Sequence, residues 1–175
     1  FLLSEAIVEI EPIGSDSATI VWKWELWDHL VQDFDATRPN FGAVSEHPEK
    51  IDINYPYDPE VSPSWIHLNS IDYNPALDQI LVNSHGLNEL LIIDHSTTSL
   101  EAAGSTGGNA GKGGDILYRW GNPRMYGRGA ESDQKLFHAH HATWIPQGFP
   151  NEGRILLFNN GLNRPDGAYS SIEII

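Results

Sequence analysis

The tightest constraint on the fold of this chain is the shortness of its apolar runs. Nine stretches of four to seven residues, rich in Val, Ile, Leu and aromatics, occupy 6–11, 19–24, 70–73, 79–84, 89–94, 116–120, 142–145, 154–158 and 169–175. Turn residues separate them, as in Asn74-Pro75-Ala76-Leu77-Asp78 and Pro150-Asn151-Glu152-Gly153. Runs this short, bounded by such chemistry, predict antiparallel meanders rather than helices. The expected class is all-β. One short helix is predicted over 25–33, where Leu26 and Leu30, and Trp27 and Val31, fall four apart, with Trp22, Trp24 and Trp27 packing it down. Two segments read as loops: 36–64, with five prolines, and 99–114, which carries a Gly-rich run. That run lacks the Gly-Lys-Ser/Thr ending and the following helix of a phosphate loop, so it is read as an inter-strand connection.

An internal repeat organises the strands. Ile-Leu-Val-Asn-Ser-His-Gly-Leu-Asn at 80–88 matches Ile-Leu-Leu-Phe-Asn-Asn-Gly-Leu-Asn at 155–163 in five of nine positions. Each copy follows an aromatic residue, a His and another strand. The sequence therefore pairs His67 with His140, 73 positions later. A repeating unit of four antiparallel strands is the signature of a β-propeller, and the spacing, longer than the roughly 40–50 residues of a common blade, is absorbed by the long connections. Residues 1–175 are expected to form a single partial propeller domain, about two blades with flanking strands. Neither an initiator Met nor a turn after the run 170–175 is present, and we expect a fragment whose remaining blades lie outside it, or identical chains that associate to complete the ring.

Charge narrows the partners. Ten Lys and Arg stand against 24 Asp and Glu, a formal charge of −14, which repels phosphate backbones and anionic lipid faces. Nucleic acid and membrane surfaces are not expected partners, and no apolar run approaches the roughly 18 residues of a membrane span. An anionic small substrate would need locally placed Arg or His to hold it. With no Cys, disulfides, thiolate metal sites and Cys nucleophiles are excluded.

The innermost strands of propeller blades run the same way, so equivalent positions gather at one mouth of the channel. His67 and His140 are candidates there for proton transfer or nucleophilic attack, since imidazole titrates near neutrality and presents a bare nitrogen. Arg164 follows a strand directly, where its guanidinium could bind a tetrahedral oxyanion through several donors. Asn69, two residues after His67, shares its side of a strand. Asn88 and Asn163 hold matching repeat positions, where Gly-Leu-Asn is also turn chemistry. His138 and His140 alternate onto one face and could, with His67, ligate a metal, but no Asp or Glu accompanies them in this run and no metal or other cofactor is assigned. Asp28-His29 is a further possible acid-orienting pair.

The segments 65–75 (Trp-Ile-His-Leu-Asn-Ser-Ile-Asp-Tyr-Asn-Pro), 89–97, 136–146 (Leu-Phe-His-Ala-His-His-Ala-Thr-Trp-Ile-Pro) and 155–161, with Trp22-Lys23-Trp24-Glu25-Leu26-Trp27-Asp28-His29, together resemble the bacterial arylsulfotransferase family in order and spacing. The resemblance runs from about Val21 onward. It implies a six-bladed propeller that moves a sulfuryl group from an aryl sulfate ester to a phenol through a sulfated His, without a nucleotide donor. It also implies export to the periplasm or outside the cell. By the same resemblance His67 would stabilise sulfuryl oxygens, His140 would act as acid or base, and Arg164 would hold the transferred group. Asn69, His141 and Asn163 are the candidates for substrate binding, and the resemblance implies that the nucleophilic His comes from a later blade. Ala139-His140-His141 stands where the family usually has Gln-His-Asp, and His85 where an Arg is common. Two other readings are carried forward: a propeller used only as a binding module, and a metal-dependent hydrolase or lyase built on the same histidines.

Overall fold

The computed structural model describes residues 3–55 and 65–175. Phe1 and the 56–64 part of the expected proline-rich loop lie outside the described residues. The architecture is mostly β-sheet with no closed sheet. Strands β1 (Ala6–Ile13) and β2 (Ser17–Glu25) form an antiparallel hairpin. Strands β3 (Leu30–Val31) and β4 (Ile51–Asp52) pair in parallel. A four-stranded antiparallel meander follows, β5 (Leu68–Asn74), β6 (Gln79–Ser84), β7 (Glu89–Asp94) and β8 (Tyr118–Trp120), in sequential order. A three-stranded meander, β9 (His140–Trp144), β10 (Ile155–Asn159) and β11 (Ser171–Ile174), completes the chain. All nine predicted runs are strands.

The four-stranded sheet buries both faces, which is why β6 and β7 read as unbroken apolar runs. Because side chains alternate across a strand, Ile80 and Val82 of β6 and Leu91 and Ile93 of β7 join one core with the hairpin residues Ile7, Trp22 and Trp24. Their neighbours Leu81 and Leu90 face the other way, into a core shared with Leu136, Ala139, Ala142, Ile155 and Leu157. The second core fastens the two meanders together.

Their contact is polar as well. Strand β9 lies beside β5 without backbone pairing between the two sheets. The Ala142 N–H instead donates to Ser70 Oγ (3.0 Å), and the Trp144 N–H to Asp72 Oδ2 (2.7 Å). Asn69 and Asn83 both donate to the Ala139 carbonyl, at 2.8 and 2.6 Å. The period of two shared by both strands matches side-chain acceptors on one to N–H groups on the other.

Helix content differs from expectation. The segment 25–33 is not an α-helix: β2 runs through Glu25, a 3-10 turn spans Leu26–His29, and β3 follows. Tertiary pull overrides the weak local pattern. His29, fully buried, reaches Asp115 rather than Asp28, with Nδ1 2.9 Å from Asp115 Oδ1. Trp22 and Trp24 are buried, whereas Trp27 is 52% exposed. Among the described residues the single short α-helix is α1 (Ser99–Ala102), where a loop was expected, and a capping box between Thr98 and Glu101 starts it. The Gly-rich run then wraps the protein's own carboxylates. The Ala110 N–H donates to Asp94 Oδ2 at 2.8 Å, and a Cβ on Gly107 or Gly108 would fall 2.5 Å from Glu101 Oε1 or 2.6 Å from Asp94 Oδ2.

The register also corrects the repeat. Tyr73 pairs with Ile80 and Trp144 with Ile155, so the β9–β10 connection is four residues longer than the β5–β6 turn. The partner of His67 is therefore His138, and that of Asn69 is His140. Matching bonds, Gly86 N–H to Ile66 O and Gly161 N–H to Phe137 O, both 3.0 Å, support this. His67 and His138 also share a left-handed backbone, with φ of 49° and 55°.

Gly86 and Gly161 hold equivalent places, and a Cβ there would lie 1.9 Å from Trp65 O and 1.8 Å from Tyr169 O. Gly86→Ala should lower stability by about 2–3 kcal/mol, since backbone must move. Gly148→Ala, whose Cβ meets nothing within 4 Å although φ is 88°, should cost about 1–2 kcal/mol from strain alone. Urea unfolding of both variants checks the order.

Candidate functional site

The ends of β5, β6 and β9 bring four histidines together. His67 precedes β5 and His85 follows β6, joined by the His85 N–H to His67 O bond (3.0 Å). His138 precedes β9 and His140 opens it. The His85 ring centroid lies 4.7 Å from that of His67, 4.4 Å from His138 and 5.3 Å from His140. His138 Nδ1 stands 3.1 Å from His85 Nε2.

Backbone detail aims these rings. The ladder slips between 68 and 70 in β5, and between Leu156 and Phe158 opposite β9. Such bulges re-aim side chains where they occur. Asn88 Oδ1 accepts the His138 N–H at 2.6 Å, holding the left-handed turn there. His140 Nδ1 faces the His138 carbonyl (3.1 Å) and Asn160 Oδ1 (2.9 Å). A carbonyl only accepts, so His140 carries its proton on Nδ1 and presents Nε2 bare when neutral.

The remaining expected site residues lie around this cluster in different ways. Asn69 Oδ1 accepts from Asn83 and its amide donates to Ala139 O, so both of its ends tie the meanders. His141 is exposed, with φ of 57°. Asn163, with φ of 66°, lines a cavity of about 220 Å³ with Asn88, Glu131, Phe137 and His138. Arg164 is held in the β10–β11 turn: Nε pairs with Asp166 Oδ1 (3.2 Å), Nη1 donates to Ser171 Oγ (2.9 Å), and the guanidinium lies over the rings of Tyr169 (4.1 Å) and Phe137 (6.0 Å). Phe137 adjoins His138, so it links Arg164 to the cluster. His85, with its ring contacts to all three other histidines, and Asn160 were not singled out from sequence as a linked pair. The repeat alignment does put them in matching places, each directly before the conserved-spacing Gly of its copy.

Electrostatics sets this cluster apart. His29, His47 and His95 each face a carboxylate; among the described residues none of the four clustered histidines does. Burial, then the charges of His138, His67 and His140, push His85 down to about 4. Burial, then the charge of His140, lowers His138. Glu131 lines the cavity beside His138 without an ion pair to these rings, and an anionic ligand would supply the counter-charge that a proton added here calls for. Among the described residues no three His, Cys, Asp or Glu side chains are arranged to hold a metal ion.

With that geometry in place, comparison with known proteins separates the readings. The arylsulfotransferase (ASST) family model matches residues 3–173, nearly the whole chain. This chain belongs to the arylsulfotransferase family. No curated protein and no solved structure matches it. Membership of the family implies aryl sulfates and phenols as the substrate class.

The depressed His85 has a consequence for stability. Between its ordinary value of 6.5 and about 4, the unfolded chain binds a proton that the folded chain refuses, so stability falls as pH drops through that window. His138, also lowered, adds to the loss in the same direction. Urea midpoints measured from pH 7 to pH 4 should decline, and the decline should be shallower in His85→Gln.

Proposed function

We propose that this arylsulfotransferase-family chain supplies part of the channel wall of a six-bladed β-propeller that transfers a sulfuryl group from an aryl sulfate ester to a phenol. The transfer runs without a nucleotide, through a sulfo-histidine whose imidazole comes from another blade. Two consecutive meanders laid side by side, with their first strands β5 and β9 adjacent, support the propeller reading.

The observation that carries the chemistry is the meeting of four imidazoles from two meanders, none ion-paired with a carboxylate among the described residues, in a chain of charge −14 whose Arg164 lies over Phe137, the residue before His138. A moving sulfuryl group spreads negative charge over three oxygens, and donors fixed in advance around it lower the barrier without reorganising. His67 supplies one such donor. His140, with Nδ1–H committed to the His138 carbonyl and Nε2 bare, is the general base that takes the phenol proton as the new ester forms. Arg164, freed from Asp166 by a stronger anion, clamps the sulfuryl oxygens. Asn163 and the exposed His141 border the approach of the aryl groups. The reading carries with it a protein of the periplasm or cell exterior, acting on small molecules and not on nucleic acid or membranes.

Transfer from 4-nitrophenyl sulfate to phenol by the complete protein tests it, followed by release of 4-nitrophenol. His67→Ala, His140→Ala and Arg164→Ala should each lower kcat by about 10²–10³-fold, the usual cost of one lost transition-state donor. Undiminished turnover in all three, with unchanged circular dichroism, would remove these residues from the mechanism. Acceptor-independent binding of 4-nitrophenyl sulfate with no transfer would favour a binding module instead.

A further inference from the structure

His85 is the hub of the cluster. Its centroid lies within 5.3 Å of the other three rings. It also spans the boundary between the meanders, since His85 and His67 belong to the β5–β6 end while His138 and His140 belong to β9. Each of its neighbours makes a hydrogen bond that does not involve the His85 ring. His67 is tied through its carbonyl to the His85 N–H, His138 through its N–H to Asn88, and His140 through Nδ1 to Asn160 and the His138 carbonyl.

The His138 ring itself meets the His85 ring, with Nδ1 3.1 Å from His85 Nε2 and 3.4 Å from His85 Nδ1. A hydrogen bond between two neutral imidazoles holds one proton, so it requires one ring to donate and the other to accept. That contact therefore couples the tautomers of the two rings, and with them whether Nε2, the other nitrogen of His138, carries a proton at the cavity that His138 lines with Phe137, Leu162 and Asn163.

We propose that His85 is a positioning residue of this site: as a neutral imidazole it sets the tautomer of His138 across the boundary between the two meanders and so fixes whether the other His138 nitrogen donates to the substrate or accepts from it. The groups facing His85 are His67, His138 and His140, and the charges of these three oppose its own protonation, which keeps the hub neutral while a neighbour is charged. Burial works in the same direction. Histidine suits the task better than Arg would, because a guanidinium only donates whereas imidazole donates at one nitrogen and accepts at the other.

The turnover arm of the test rests on the sulfuryl-transfer reading; the spectroscopic arm does not. Long-range ¹H–¹⁵N correlation spectra of the protein at pH 7 report the tautomer of each His. The wild type should show His138 as one tautomer. His85→Phe, which keeps a ring and removes both nitrogens, should turn His138 into a tautomer mixture and leave His140 with its proton on Nδ1. His85→Gln, which keeps a group able to donate and accept, should restore the single form. A single wild-type tautomer of His138 persisting in His85→Phe overturns the proposal. Should that variant fail to fold, a tautomer mixture in His85→Gln overturns it equally.

With 4-nitrophenyl sulfate and phenol, His85→Phe should lower kcat about tenfold with KM changed less than threefold, as expected where ground-state binding survives and transition-state alignment is lost. His85→Gln should recover most of that loss. A fall confined to KM would also overturn the positioning role. A wild type without turnover would sink the sulfuryl-transfer reading and leave the tautomer result standing.

Discussion

The site depends on the way β5 receives β9. Two sheets that meet edge to edge without joining leave backbone N–H groups to be satisfied, and an orphaned buried one costs about 1–3 kcal/mol. Here Ser70 and Asp72 accept from Ala142 and Trp144, while Asn69 and Asn83 donate to the Ala139 carbonyl. Side-chain acceptors cannot slide as backbone ladders can, because each belongs to one residue. The seam therefore fixes the register between meanders to a single residue, and the ring spacing around His85 follows from it. A slip by one position would turn every β9 side chain to the opposite face.

Charge buried elsewhere serves to anchor what surrounds the seam. Burial works to raise Asp115, yet hydrogen bonds from His29 and Lys50 and the charge of Lys50 outweigh it and hold its carboxyl below the ordinary range. The fully buried His29 stacks on Trp24 at 5.3 Å and reaches Ala102 O through Nε2 (2.8 Å). Both of its nitrogens thus tie the hairpin end to the connection between β7 and β8. Glu89, buried beside Arg119, is pushed up to about 7 by burial against the pull of that guanidinium. Arg119 also donates to the carbonyls of Pro48 and Lys50, so a single side chain pins the 48–50 segment to the sheet.

Strand existence was legible because it is written in runs of period two and in turn chemistry, both local properties. The one predicted helix failed for the opposite reason. Over 25–33 the four-residue spacing of Leu26, Leu30, Trp27 and Val31 is real, but the pull of Asp115 on His29 and of Ile51 on Leu30 is non-local. The repeat was visible in sequence, yet its partner assignment missed by two residues because loop lengths between strands leave no mark on apolar pattern. Family membership was legible from ordered motifs such as Trp65-Ile66-His67-Leu68-Asn69-Ser70. The contacts of His85 were not, since nothing local states that a residue at a β6 turn will meet three imidazoles from other segments.

A chain of charge −14 that binds an anion presents a conflict of distance scales. Acidic side chains spread over the surface act through water and salt, where the field decays over about 8 Å at physiological ionic strength. Donors touching the ligand in a partly dehydrated cluster act at hydrogen-bond range with little screening. On the proposed reading the four imidazoles and Arg164 decide binding while the surface charge slows the approach. Neutrality of the hub sharpens this balance. With His85 held down to about 4, the cluster does not carry its full charge in the empty state, which would destabilise the seam by self-repulsion. An incoming sulfate ester supplies the negative charge that the cluster lacks, so the site is completed by its ligand and not by an ion pair within the chain.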